Sequence, residues 1–319
     1  MKAIRTLAAI VLSSLVCIPN ASGQENKAVN SAVNPAVGPP YLLVLVHQEI
    51  QYGKATARQK LEVATARACN RIDVPNSWIA LQSLTGPREA LSFDPFDSFE
   101  QMEQSVAGWT QVYAAHPDLA RMHEEIEALL ASEDTIVAVR RDDLGYRVDH
   151  IDLSEAHFMR VIEVHLLPGH ESDFVEASKI LSDAYEKIRV DTPWVVYQVK
   201  MGMQSQGFLV FMPMAALKEN DDLLSYEEDL LKAEGDEAAQ RQEKIAREAY
   251  VSTTSNLYAV SAEMSHVSKE FAAGDPGFWT PKPVPAMNHE GAKGTVVPEA
   301  APNTIKPTSS KTPTPTQNQ

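Results

Sequence analysis

Arg71-Ile72-Asp73-Val74-Pro75-Asn76-Ser77-Trp78 and Arg189-Val190-Asp191-Thr192-Pro193-Trp194 are two versions of one segment. The agreement extends well beyond them. Val46-His47 recurs as Val164-His165, Gln82 as Gln198, and Phe93-Asp94-Pro95 as Phe211-Met212-Pro213. Arg71 to Arg189, His47 to His165 and Phe93 to Phe211 share one offset of 118 positions, with a short deletion before Trp194. The chain therefore carries an internal duplication, and the two copies should share a fold.

Periodicity places elements around these anchors. Tyr41 to Glu49 is an apolar, Val-containing run stopped at Gly53, which favours a strand. Leu61, Ala64, Ala68 and Ile72 recur at helical spacing, and Pro75 ends that helix. Trp78 to Leu84 and Ala90 to Phe93 read as a hairpin around the turn residues Gly86-Pro87-Arg88-Glu89. Phe99, Met102, Val106, Trp109 and Val112 mark a second helix. It is interrupted at His116-Pro117 and resumed through Leu119, Met122, Ile126 and Leu129. Thr135 to Val139 closes the first copy as a strand.

The second copy repeats this order. Phe158 to Leu167 is a strand stopped by Pro168-Gly169, and Phe174, Ala177, Leu181, Ala184 and Ile188 make a helix. Trp194 to Met201 and Phe208 to Met212 form a hairpin across the polar turn Met203–Gln206. Residues 215–250 are helical and acidic with a break near Gly235, and Asn256 to Ala262 is the closing strand. Strand, helix, strand, strand, helix, strand is the split arrangement of a ferredoxin-like unit. The expected class is α+β, with tandem units over residues 41–145 and 156–268 joined by a connector over 146–155.

The ends read differently. Lys2 and Arg5, the apolar run Thr6 to Ile18 and the small residues Ala21-Ser22-Gly23 predict a secretory signal over residues 1–23. Export would place the protein in the periplasm or outside the cell. Residues 24–40 read as a disordered lead-in. Nine of the twenty prolines lie in residues 276–319, so residues 269–319 read as a Pro-rich disordered tail.

The formal charge is −15, and removing the signal makes it more negative. That balance argues against nucleic acid, which rewards basic patches, and against an anionic membrane surface. The apolar run at the start is too short to span a bilayer, so no membrane insertion is expected. Cys69 would be the one cysteine left after cleavage, so no disulfide forms within the chain, and it reads as a small buried residue.

The tandem units resemble the dimeric α/β-barrel superfamily, in particular domains similar to antibiotic-biosynthesis monooxygenases and NIPSNAP proteins. The stretch that carries the resemblance best is Val164-His165-Leu166-Leu167-Pro168-Gly169-His170-Glu171-Ser172-Asp173-Phe174. The resemblance implies two sheets packed face to face as an intramolecular pseudo-dimer, which could be monomeric, with a cavity between each sheet and its covering elements. Superfamily members include cofactor-free oxygenases, haem-binding enzymes and proteins without known chemistry.

Strand alternation sorts the candidate residues. Ile162, Val164 and Leu166 form a uniformly apolar face that should meet helices, which sends Glu163 and His165 to the interior. His47 takes the matching place in the first copy. By the same rule the apolar faces Ile79/Leu81 and Val195/Tyr197/Val199 should cover helices. Trp78 with Gln82, and Trp194 with Gln198, should then line a ligand cavity. His165, Glu163 and His47 are the candidate catalytic residues, and Trp78, Gln82, Trp194 and Gln198 the candidate ligand-binding residues. A His–Glu pair can act as acid and base. No HExxH, Cys pair or His cluster supplies a metal site.

Three functions follow as expectations. The protein binds a small apolar or aromatic molecule in a barrel cavity; or it is an oxygenase, cofactor-free or using haem on His165 or His47; or it is a non-catalytic interaction protein working through its acidic helices and tail.

Overall fold

A computed structural model describes residues 37–72 and 74–280. The signal pattern and most of the Pro-rich tail lie outside the described residues. The first half contains β1 (Leu42–Ile50), α1 (Ala55–Cys69), β2 (Trp78–Ser83), β3 (Glu89–Phe96), α2 (Phe99–Ala115), α3 (Pro117–Glu127) and β4 (Leu130–Arg140). The second contains β5 (Phe158–Leu166), α4 (Glu171–Ile188), β6 (Val195–Met201), β7 (Gln206–Met214), α5 (Glu219–Glu234), α6 (Asp236–Ala249) and β8 (Tyr250–His266). Two short helices follow, α7 (Lys269–Ala272) and α8 (Pro276–Trp279). The helix breaks fall where the sequence puts them, at His116-Pro117 and at Gly235, whose φ of 82° suits a residue without Cβ.

The eight strands close into one barrel in the order β1-β3-β2-β8-β5-β7-β6-β4. Each half supplies one antiparallel sheet. The sheets join edge to edge at two seams, β2 with β8 and β4 with β6. This is the architecture of a dimeric α/β barrel built within one chain. Because β1 and β5 run in the same direction around the barrel, positions related by the duplication lie at the same end of it.

Register fixes what faces inward. Leu43, Leu45 and His47 of β1 lie opposite Pro95, Phe93 and Leu91 of β3, while Val161, Glu163 and His165 of β5 lie opposite Phe211, Leu209 and Gly207 of β7. Phe93 and Phe211, the duplicated pair, meet edge to face with centroids 5.3 Å apart, and Tyr197 stands edge-on to both. The expected cavity is thus a packed interior, filled by Leu43, Leu81, Leu209 and these rings. Side chains also fill much of the space between sheets and helices, apart from a cleft of about 440 Å³ where β8 and α7 meet the end of α1. Phe174 stacks on Phe208 at 4.1 Å in the second half, and Cys69, Val74 and Leu119 pack with Trp78, Trp109 and Tyr113 in the first.

Two expectations about faces are corrected. In β2 and β6 the more apolar sides, Ile79/Leu81 and Val195/Tyr197, point into the barrel. Trp78, Gln82, Trp194 and Gln198 stand outside, toward the helices and connectors. The barrel interior is the driest place in the fold, so it takes the most apolar faces. The outer side tolerates indoles because their N–H groups find backbone acceptors: Trp78 donates to Met264 O at 2.8 Å and Trp194 to Leu144 O at 3.3 Å. In α1, the buried positions are Arg58, Thr65, Ala66 and Cys69, a stripe displaced from the one the leucine-alanine spacing indicates.

The ordered chain also reaches further than the composition suggests. Leu153 N donates to Val37 O, and Tyr197 Oη to Pro40 O, so residues 37–40 are packed. Beyond residue 268, Phe271 and Trp279 are buried and cover the end of the barrel where β1 and β5 begin. Trp279 donates to Ser154 O at 2.7 Å, and His157 pairs with Asp275 at 2.8 Å while stacking on Phe278. Composition signalled a loose tail from residue 269, but three aromatic rings in its first stretch, Phe271, Phe278 and Trp279, have a hydrophobic surface to cover.

Trp194 is 4 % exposed and packs against both Tyr146 and Tyr185. Trp194→Ala should cost about 3–5 kcal/mol, the usual range for removing a buried large aromatic. Trp78→Ala, at a half-buried site, should cost less. Urea unfolding of the two variants checks the order.

Candidate functional site

With one end of the barrel covered by α7 and α8, the other end collects the polar interior residues. His47 sits near the end of β1 and His165 near the end of β5. Their ring nitrogens reach carboxylates on different elements. His47 Nε2 contacts Glu89 Oε2 at 2.6 Å, and His165 Nε2 contacts Glu163 Oε1 at 2.5 Å. The side chains of His47, His165 and Glu163 are 33 %, 26 % and 31 % exposed, and that of Glu89 only 6 %. The arrangement is a half-open mouth with one deep carboxylate.

Glu89 is held by more than His47. Tyr258 Oη donates to its Oε1, and Asn256 Nδ2 reaches the same oxygen at 3.4 Å. Burial pushes the Glu89 carboxyl up, but the bonds from His47 and Tyr258, the His47 charge and the Asn256 bond outweigh it and leave the group below its ordinary value. His47 is shifted the other way. Its bond to Glu89 raises it, burial opposes this, and the charges of Glu89, Glu163 and Asp134 add to the rise. Tyr258 is pushed well up by burial and by the Glu89 carboxylate. On the other side of the mouth, His165 Nδ1 lies 2.9 Å from Ser205 Oγ in the turn between β6 and β7.

The structure thus brings His165, Glu163 and His47 to one end of the interior, and does not bring Trp78, Gln82, Trp194 or Gln198 there. Gln198 instead accepts from Lys200 at 2.7 Å and Arg141 at 3.2 Å on the outer surface. Glu89, Tyr258, Asn256 and Ser205 join the site unannounced. Glu89 and Ser205 stand in stretches whose composition marks turns, yet Glu89 is the first residue of β3. Counting alternation outward from Phe93 through Leu91 would have put Glu89 on the interior face.

Haem was the cofactor the resemblance admitted, with His165 or His47 as axial ligand. The residues do not fit that role as they stand. Each Nε2 is already committed to a carboxylate, and a macrocycle beneath them would displace Leu91, Leu209 and the central rings. Among the described residues no group of three or more His, Cys, Asp and Glu side chains is arranged to hold a metal ion. No described helix is long and apolar enough to cross a membrane. Cys69 is buried, and burial pushes its thiol up to about 12, which suits packing rather than reactivity.

No family model matches the sequence. No curated protein matches it either. Among solved structures it is similar to an anthrone oxidase-like protein at 14 % identity, covering 69 % of this chain and 90 % of that one, with a TM-score of 0.47. A chlorite dismutase from Candidatus Nitrospira defluvii in complex with imidazole is 9 % identical over 72 % of this chain and 94 % of that one, TM-score 0.41. A haem-binding protein from Thermus thermophilus is 7 % identical over 72 % and 96 %, TM-score 0.39. Likeness of this degree concerns the course of the chain and not the site.

The His47–Glu89 pair makes stability depend on pH. The raised His47 contributes fully below about 6.5, its ordinary value, and loses that contribution as pH rises through its higher folded value. The lowered Glu89 contributes above its ordinary 4.5 and loses it as pH falls below that. Between these limits the pair is at full strength. Asp94, pushed up to about 7 by burial, titrates nearby, so the readout is a difference between proteins. The thermal midpoint of His47→Gln should fall furthest below wild type near pH 5.5, and the gap should narrow toward pH 9.

Proposed function

We propose that the open end of the barrel is a site for a small organic molecule, where the two His–Glu pairs move protons on it without a bound cofactor. One observation carries this. His47 and His165 reach the same end of the interior, but their carboxylates come from different places: Glu89 stands on β3, and Glu163 on β5, the strand of His165 itself. The strand registers differ there too, with His47 opposite Leu91 and His165 opposite Gly207. Each histidine has thus acquired its acid separately, on a different strand. Packing inherited from a common ancestor accounts for the histidines and not for the acids. A carboxylate beside an imidazole fixes its tautomer and supports its action as a base.

The lining indicates the class of molecule. Leu91 and Leu209 form an apolar floor, while Glu89, Glu163 and Asp134 surround the mouth with negative charge. A compact, apolar or aromatic body with one or two polar groups, neutral or cationic, suits such a site. The N-terminal pattern supports an exported protein, in the periplasm or outside the cell. A mature chain beginning near Gln24 in the exported fraction would check it by mass.

The interaction reading has one observation of its own. Leu224 and Leu231 on the acidic α5 are 63 % and 62 % exposed.

The test of the site uses the ring C–H resonances of His47 and His165, assigned through His→Gln variants. Titration with small phenols, amines and esters should shift both resonances together. His165→Gln should lose ligand-induced thermal stabilisation while its ligand-free unfolding changes little. Lost stability without change in binding would make the histidines structural and overturn the proposal.

A further inference from the structure

Among the described residues, His165 has a hydroxyl partner and His47 does not. An ionised carboxylate only accepts hydrogen bonds, so the contact from Glu163 Oε1 to His165 Nε2 at 2.5 Å assigns the proton to Nε2. In the neutral ring Nδ1 is then the acceptor. The Ser205 hydroxyl lies 2.9 Å from it and donates. Nucleophile to base, base to orienting carboxylate, is the arrangement that activates a serine. It is met here with the two ring nitrogens exchanged relative to the familiar triad. Ser205 is half-buried in the turn between β6 and β7, at the rim of the mouth, so a substrate carbonyl can approach it.

We infer that Ser205 is a nucleophile activated by His165, with Glu163 as positioning residue, and that the mouth performs acyl transfer on small neutral or cationic esters. The inference rests on the reading that the mouth admits small molecules, and it names their chemistry. In the first step Ser205 Oγ bonds to the ester carbonyl carbon and its proton passes to His165 Nδ1. The carbon–alkoxy bond then breaks, and the same proton leaves on the departing alcohol. In the second step water attacks the acyl-serine, again giving a proton to Nδ1. The carboxylic acid leaves and Ser205 Oγ recovers its proton. Glu163 holds the imidazole in the required tautomer throughout and stabilises the imidazolium.

The neighbourhood also suits an apolar acyl group. Gly207 faces His165 across the strand pair and has no side chain, and the Met203 thioether occupies that space. It offers an apolar flank beside Ser205. Among the described residues the first half has no equivalent of this triad. His47 is bound to Glu89, which is itself tied to Tyr258 and Asn256, so that half serves to bind.

The experiment is active-site labelling of the full chain with a neutral alkyl fluorophosphonate, read by intact mass and peptide mapping, together with hydrolysis of 4-nitrophenyl acetate and butyrate. One adduct on Ser205 is expected, absent from Ser205→Ala. The labelling rate should fall on the order of 10²-fold in His165→Gln, the usual worth of a general base. Glu163→Gln should lower kcat with KM little changed and remove the low-field ring N–H proton resonance of His165. A merely structural role would leave that kinetic split unmoved. Ser205 lies in a surface turn, and an unchanged melting curve for Ser205→Ala would confirm that loss of labelling is chemical. No adduct, or an adduct that survives Ser205→Ala, overturns the inference. If small molecules still shift the His47 and His165 resonances in that case, only the triad fails; if they do not, the binding site fails with it.

Discussion

The structure depends on closing two sheet edges at once. Either half alone is a four-stranded sheet with bare backbone groups along β2 and β4, or along β6 and β8, and such edges must be paired or covered. The duplication solves this by pairing each half's edge with the other's. β8 is the strand that makes it work. At seventeen residues it is long enough to pair with β5 from Tyr250 to Ala259 and with β2 from Tyr258 to His266. The seam of β4 with β6 is shorter, and the Tyr146–Trp194 bridge extends it.

Closure has a consequence for chemistry. Once the strands form a barrel, its middle must be filled with side chains, and polar groups are tolerable only where water or a partner can reach them. Phe93, Phe211 and Tyr197 occupy the middle, while Phe271 and Trp279 cover one end. What remains for titratable groups is the opposite end. His47 and His165 arrive there together because β1 and β5 run in the same direction and both histidines stand near the strand ends, not because either half is complete as a site.

Much of this was legible in the sequence. The constant offset from His47 to His165 gives the repeat, and the element order gives the fold class. The inward placement of His165 and Glu163 follows from the apolar face formed by Ile162, Val164 and Leu166. The same rule misplaces Trp78 and Trp194. Strands in this barrel are buried on both faces, so alternation separates two faces without saying which is inner. In β5 the polar face is inner because it ends at the mouth. In β2 and β6 the apolar face is inner because it crosses the middle. Only the closed barrel distinguishes these cases. Glu89, Tyr258 and Ser205 were hidden for another reason: their partners lie 42, 169 and 40 positions away, beyond any local pattern.

The cost of Glu89 bears on why the mouth is built as it is. A carboxylate this deep needs its lost hydration replaced, and His47, Tyr258 and Asn256 do so. Buried ion pairs of this kind are weak sources of net stability, and apolar residues of similar volume often serve as well. The second half shows that alternative in place, since β7, its counterpart of β3, carries no acid and the barrel closes there regardless. Closure therefore does not require Glu89. Glu89 serves His47 instead: its carboxylate contacts the ring and favours its charged form. His47 leans on an acid from β3, and His165 on an acid from its own strand and on the Ser205 hydroxyl, so the two rings at this end are held differently. On the proposed function, that difference would let one ring hold a substrate while the other acts on it, which is how a nearly symmetric barrel could serve an asymmetric molecule.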